Sequence, residues 1–142
     1  MHMRQQSGFA LLEGLITVLI FSIGIIGLVS MQGAIMKANQ QSGMRAQASY
    51  FAEEIIGLAT VDPNNASCYV TGSATCSNST AQASVTDWKS RATAQLPNAS
   101  VTGKTPTVTY SSTTGQFVVT LSWKRTDEPD WHQYVSTTVI KP

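Results

Sequence analysis

Between Arg4 and Lys37 the chain has a single ionisable side chain, Glu13. Within that silence, Phe9 to Val29 is apolar apart from Glu13, Thr17 and Ser22. This is a run of about 21 residues, and roughly 20 such residues cross a bilayer as a helix. Arg4 lies on its N-terminal side and few charges follow before Lys37, so the positive-inside bias places the N-terminus in the cytoplasm. The C-terminal part is then expected to be periplasmic or extracellular.

The helical period continues past the apolar run. Ala48, Phe51, Ile55 and Leu58 recur at spacings of three and four, with Gln47, Glu53 and Glu54 between them. Asp62-Pro63 is a stop signal, so one helix is expected from Phe9 to Ala59, with its outer half packed on a domain. Gly24, Gly27, Gly33 and Gly43 each weaken an exposed helix by about 1 kcal/mol relative to Ala. Bending near Gly24 and Gly27, and the ordinary frequency of glycine in membrane helices, are both open readings.

Pro63 to Ala83 is rich in Asn, Ser and Thr and holds the two cysteines, Cys68 and Cys76. An even count in an exported domain implies a disulfide, and closing a loop of about nine residues stabilises by roughly 2.5 kcal/mol on the chain-entropy model. The spacing is not C-x-x-C and no clustered His completes a ligand set, which argues against a metal site or a redox-active pair.

Thr86-Asp87-Trp88 is read as the start of a short helix capped by Thr86 or Asp87. Its Trp88, Ala92 and Leu96 share a face expected to dock on a sheet, and Pro97-Asn98 ends it. Strands are expected at Thr107 to Tyr110, Gln116 to Lys124 and about Trp131 to Ile140. They are separated by a turn ending at Gly115 and another at Asp127-Glu128-Pro129-Asp130. In the second strand Phe117, Val119, Leu121 and Trp123 alternate with Val118, Thr120 and Ser122. The fold class is therefore α+β: a long N-terminal helix, membrane-spanning then amphipathic, packed on a small antiparallel β-sheet with one short extra helix.

Composition agrees. At 142 residues the chain is long enough for one small domain beyond the apolar segment. Nine Lys plus Arg against eight Asp plus Glu give a net charge of +1, without the basic footprint of a nucleic-acid binder. Charged residues are 12% of the chain, against about a quarter in soluble domains, as suits a polar exported domain joined to an apolar anchor.

Three readings of the N-terminal segment compete: a secretory signal, a plain anchor, and a leader cut ahead of a retained helix. A secretory signal has a shorter apolar stretch and a small-residue cleavage site, whereas this run continues into Met31-Gln32. A plain anchor gains nothing from Glu13, whose desolvation costs about 2 kcal/mol or more.

Gly8-Phe9-Ala10-Leu11-Leu12-Glu13 resembles the class III signal of type IV pilins and pseudopilins. The resemblance implies a leader from Met1 to Gly8, cleavage between Gly8 and Phe9 by a prepilin peptidase, N-methylation of Phe9, and Glu13 as the fifth mature residue. It further implies that the Glu13 carboxylate meets the N-terminal ammonium of a subunit already in a filament. Two such charges 4 Å apart attract by about 4 kcal/mol at an effective dielectric near 20, before desolvation is subtracted, so register is a safer role than stability. A carboxylate reaching to the membrane interface is the plainer reading. Gly14 departs from the family, which has an apolar residue there.

Further along, Ser22 to Leu28 followed by Met31-Gln32, then Asp87-Trp88-Lys89, Leu96-Pro97 and Leu121-Ser122-Trp123, look like the PilV type of minor pilin. That resemblance implies a leader at 1–8, a transmembrane and filament-core helix at 9–29, an amphipathic continuation at 30–60 and a periplasmic or extracellular head at 61–142. It implies a place in the inner membrane before assembly and in a type IV pilus afterwards. The implied partners are other minor pilins, the major pilin, the prepilin peptidase and N-methyltransferase, the inner-membrane assembly platform and a tip adhesin. Priming of a filament tip is the implied role. The alternatives are a minor pseudopilin of a type II secretion or DNA-uptake system and, from another class, a surface-binding module.

Nothing in the sequence points to an enzyme or a cofactor. His132 lacks an accompanying G-x-S-x-G, H-E-x-x-H or P-loop and reads as a strand-edge residue. Asp127, Glu128 and Asp130 lack EF-hand spacing and read as a solvated turn. Asn65, Asn78 and Asn98 lie in sequons that chance explains in so Ser/Thr-rich a chain. Trp88, Trp123 and Trp131 read as core or subunit contacts.

Overall fold

The computed structural model describes residues 7–72 and 76–141, with side chains from Phe9 onward; the leader residues Met1 to Gln6 lie outside the described residues. Helix α1 spans Ser7–Val61 and is followed by a short 3-10 helix at Pro63–Tyr69. Helix α2 spans Ser79–Gln95, and strands β1, β2 and β3 span Thr107–Tyr110, Gln116–Trp123 and His132–Val139.

The chain divides into two compact units, the first ending at Ser42 and the second, the head, beginning at Gly43. The division falls inside α1, so residues 43–61 of the helix fold with the head. The first unit is α-helical without interruption through Gly24 and Gly27. Its apolar side chains point outward on every side, Leu11, Val18 and Ile26 among them. A helix that is hydrophobic all round needs an apolar medium or apolar partners to cover it.

In the head, β1, β2 and β3 form one antiparallel sheet in that order, with Val108 opposite Val119 and Thr120 opposite Val135. Phe117, Val119, Leu121 and Trp123 all face inward and are buried, as the alternation predicts. The β1–β2 turn needs Gly115, whose φ is +73° and whose missing Cβ would lie 2.8 Å from the Ile140 carbonyl oxygen. From α1, Ala48, Phe51, Ala52, Ile55 and Ala59 enter the same core, together with Trp88, Ala92 and Leu96. Each large apolar side chain contributes about 1.5 to 3 kcal/mol on burial, and a three-stranded sheet needs helices packed on it to cover its inner face.

Several boundaries differ from the sequence reading. Leu58 is 39% exposed, and Ala59 takes the buried position at i+4 from Ile55. Helix α2 begins at Ser79, not at Thr86, because Asn78 is its N-cap and accepts from the Ala81 N–H at 3.2 Å. Thr86 and Asp87 are interior to the helix, where the Thr86 hydroxyl donates to the Gln82 carbonyl. Pro63 to Tyr69 is not open loop: Ala66, Cys68 and Tyr69 are buried, and Asn65 donates to the Asp62 carboxylate. The face of α2 expected on the sheet bonds to α1, where the Trp88 indole N–H donates to the Phe51 carbonyl at 2.7 Å. Arg91 adds a bidentate pair with Glu54 and a second pair with Asp87. These bonds raise the guanidinium further above its ordinary value, so it stays charged.

Candidate functional site

The residues singled out for processing and assembly lie in the first unit. Gly8 and Phe9 both sit within α1, and Phe9 is 70% exposed. Glu13 is also exposed. It lies four residues on, one turn along the same helix face. The remaining polar side chains of the apolar run are satisfied inside the helix. Thr17 Oγ1 donates to the Glu13 carbonyl and Ser22 Oγ to the Val18 carbonyl, each at 2.7 Å. Such back-bonding spends the hydroxyl donor locally. The Glu13 carboxylate makes no hydrogen bond or ion pair among the described residues, so of the three polar side chains in the run it alone looks for a partner elsewhere.

Phe9, Leu12, Ile16 and Thr17 line a shallow groove beside Glu13. All are on α1, so the groove has only one wall. A carboxylate in apolar surroundings needs an opposite charge and donors to offset its desolvation, and α1 supplies neither at Glu13 among the described residues.

In the head, Cys68 and Cys76 form a disulfide with Cα atoms 5.2 Å apart. The 3-10 helix that carries Cys68 is bridged from its last residue to its N-cap, where the Tyr69 hydroxyl donates to the Asp62 carboxylate at 3.4 Å. Burial, with the neighbouring Asp62 charge and that hydrogen bond, raises the Tyr69 phenol above its usual 10.0. At the start of β3, His132 is bonded to Glu128 at 2.8 Å and stacked on Trp123, and in the loop before it Arg125 pairs with Asp127. Lys104 stands over the Trp131 ring at 5.2 Å. A cleft between α2 and the Thr71–Gly72 turn is lined by Ser and Thr residues, among them Thr86, Ser90 and Thr93, together with Val85 and Ala94, and Lys89 is the one charged residue among the described lining. It has neither an acid–base pair nor a nucleophile beside a base. No group of three or more metal-ligating side chains occurs among the described residues.

With this geometry in place, comparison with known proteins is informative at one end of the chain. Residues 3–29 match the prokaryotic N-terminal methylation motif, the prepilin-type signal of type IV pilins and pseudopilins. The match supports a type IV pilin-like protein, and the α+β fold agrees with that of pilins. The signal and the long apolar helix together support anchoring in a membrane. No curated protein and no solved structure matches the chain.

Proposed function

We propose that this protein is a minor pilin of a type IV pilus. It inserts in the inner membrane with its N-terminus in the cytoplasm and its head in the periplasm, and is cut between Gly8 and Phe9 and methylated on the Phe9 amine. It then enters the complex that primes the filament tip. Its action is binding, not catalysis. The observation that carries the reading is Glu13, an exposed acid with no partner among the described residues, one turn from the future N-terminus on an otherwise apolar helix.

Cleavage puts a positive amine at Phe9 and leaves Glu13 within about a turn and a half of it. When a second subunit is already in the filament, its amine and this carboxylate neutralise each other only in one axial register. The pair therefore sets how far the helix rises out of the bilayer. Methylation keeps the charge and adds apolar surface, which suits a lipid-facing amine. The partners are the prepilin peptidase and N-methyltransferase, the assembly platform, the major pilin, other minor pilins and a tip adhesin. The order of Asp87-Trp88-Lys89, Leu96-Pro97 and Leu121-Ser122-Trp123 favours a PilV-type minor pilin over a secretion pseudopilin.

Glu13→Ala tests the pair directly. Membrane insertion and leader removal should continue, while the variant's share of sheared filaments falls several-fold relative to its membrane pool. Wild-type incorporation would remove the pair from the assembly step. Co-purification with pilus subunits, and not with secretion subunits, is the expected outcome of a pull-down from detergent-solubilised membranes.

A further inference from the structure

One edge of the head's sheet is closed and the other is open. On β1 the Cys68–Cys76 loop covers the edge, since Thr71 bonds to Val108 through both its backbone N–H and its hydroxyl. Strand β3 forms the other edge, and its backbone makes no hydrogen bond on the side away from β2 among the described residues. Ile140 N–H bonds to the Gly115 carbonyl at 2.8 Å, on the β2 side. By the alternation of an antiparallel ladder, Gln133, Val135, Thr137 and Val139 therefore turn their N–H and C=O groups outward. A row of donors and acceptors at that spacing is complementary to an extended polypeptide backbone.

The usual guards of such an edge are missing. His132–Val139 contains no Lys, Arg, Asp, Glu, Pro or Gly, and its pairing with β2 keeps one register from end to end without a bulge. Val135 and Val139 are exposed. The strand's two flanks carry opposite charges: Asp130 before it and Lys141 after it, both exposed and without an ion-pair partner among the described residues.

A second copy anchored in the same membrane does not fit this edge. Its β1 is already closed by Thr71. Its β3 could approach antiparallel only across a two-fold axis perpendicular to the sheet. That axis would turn residues 43–61 of α1, which pack on the sheet, to opposite directions in the two copies. A parallel, in-register approach of β3 to β3 would set Lys141 against Lys141 and Asp130 against Asp130, and like charges directly opposite are destabilising.

We propose that the open edge of β3 takes up an extended segment of a different protein, which adds to the sheet as a fourth strand antiparallel to β3. Antiparallel pairing continues the order of the sheet and is the stronger kind per residue. The edge also defines the chemistry of the segment. Opposite residues 133–139 it is uncharged, with β-branched side chains beside Val135 and Val139. An acidic residue at its N-terminal end meets Lys141, and a basic residue at its C-terminal end meets Asp130. A short extended segment need not follow the direction of its own protein's anchor, so the helices place no restriction on it. The inference does not depend on the pilus reading.

The test uses the full chain in lipid nanodiscs and a fluorescent synthetic peptide as long as residues 130–141. The peptide has Glu first, Lys last and alternating Val and Thr between, with Val opposite Val135 and Val139. It is made in two forms, methylated either on the alternate backbone nitrogens that would face away from β3 or on those that would face it. The first form keeps its pairing edge and cannot stack on itself; it should bind saturably, and the second form at least several-fold more weakly. Exchanging the terminal Glu and Lys should weaken binding several-fold. Asp130→Lys combined with Lys141→Glu, both at exposed positions, should reverse that preference. Hydrogen exchange over residues 132–139 should slow on binding while that of α2 stays unchanged. The proposal fails if the two methylated forms bind alike, if exchanging the terminal charges has no effect or strengthens binding to the unaltered chain, if the slowed exchange lies outside β3, or if neither peptide form binds saturably.

Discussion

Thr71 and Val108 form a two-residue bridge over the outer edge of β1. The Thr71 N–H donates to the Val108 carbonyl at 3.2 Å, and the Val108 N–H donates to the Thr71 hydroxyl oxygen at 3.1 Å. Thr71 lies between Cys68 and Cys76, so the disulfide holds the residue that closes the sheet. Thr71→Val should leave the Val108 N–H without its side-chain acceptor and cost about 1 to 3 kcal/mol. Reducing the disulfide should cost roughly 2.5 kcal/mol. Because both act on one edge, their combined cost should be less than the sum. Thermal unfolding of the full chain in detergent, with and without reductant, measures all three terms.

Trp88 joins α2 to the outer half of α1 by filling core space and bonding the Phe51 carbonyl. Trp88→Phe is expected to lose the hydrogen bond and part of the packing, about 2 kcal/mol together. Trp88→Ala should lose about 3 to 5 kcal/mol. Denaturant unfolding of the two variants checks the order and the gap.

Alkaline pH should weaken the head through Tyr69. Its folded-state value is raised above the ordinary 10.0 by burial and by Asp62, so above about that pH the folded form holds a proton that the unfolded form has released. This contribution is full below pH 10.0 and falls as pH rises through the folded value. Tyr69→Phe should flatten that part of the stability curve, which a pH series of thermal melts on both proteins would show.

The strands were legible because each rests on local chemistry: alternation from Phe117 to Trp123, and a glycine at 115 where the backbone turns left-handed. The N-terminal signal was legible because a lone acid among apolar residues stands out without any structure. What the sequence hid was set by distance or by polar camouflage. The first two turns of α2 contain Ser79, Thr80, Gln82 and Ser84, which read as loop, although Ala81 and Val85 already continue the buried stripe of Trp88 and Ala92. Asn78 was a findable cap that Thr86 and Asp87 outweighed. The three-residue spacing from Ile55 predicts Leu58 on the apolar face, yet the helix turns it outward and buries the smaller Ala59 at i+4. Neither the closure of β1 by Thr71 nor the bond from Trp88 to Phe51 has a local signature, since each joins residues 37 apart.

The central claim is that a lone carboxylate on an oily helix serves an amine created by cutting the chain one turn earlier. Intact mass of the protein purified from cells with and without prepilin peptidase tests it most directly. With the peptidase, the mass should correspond to a chain that begins at Phe9, carries one added methyl group and keeps the apolar segment; without it, the leader should remain. A mature chain that still begins at Met1, or one that has lost Phe9 to Val29, would contradict the account.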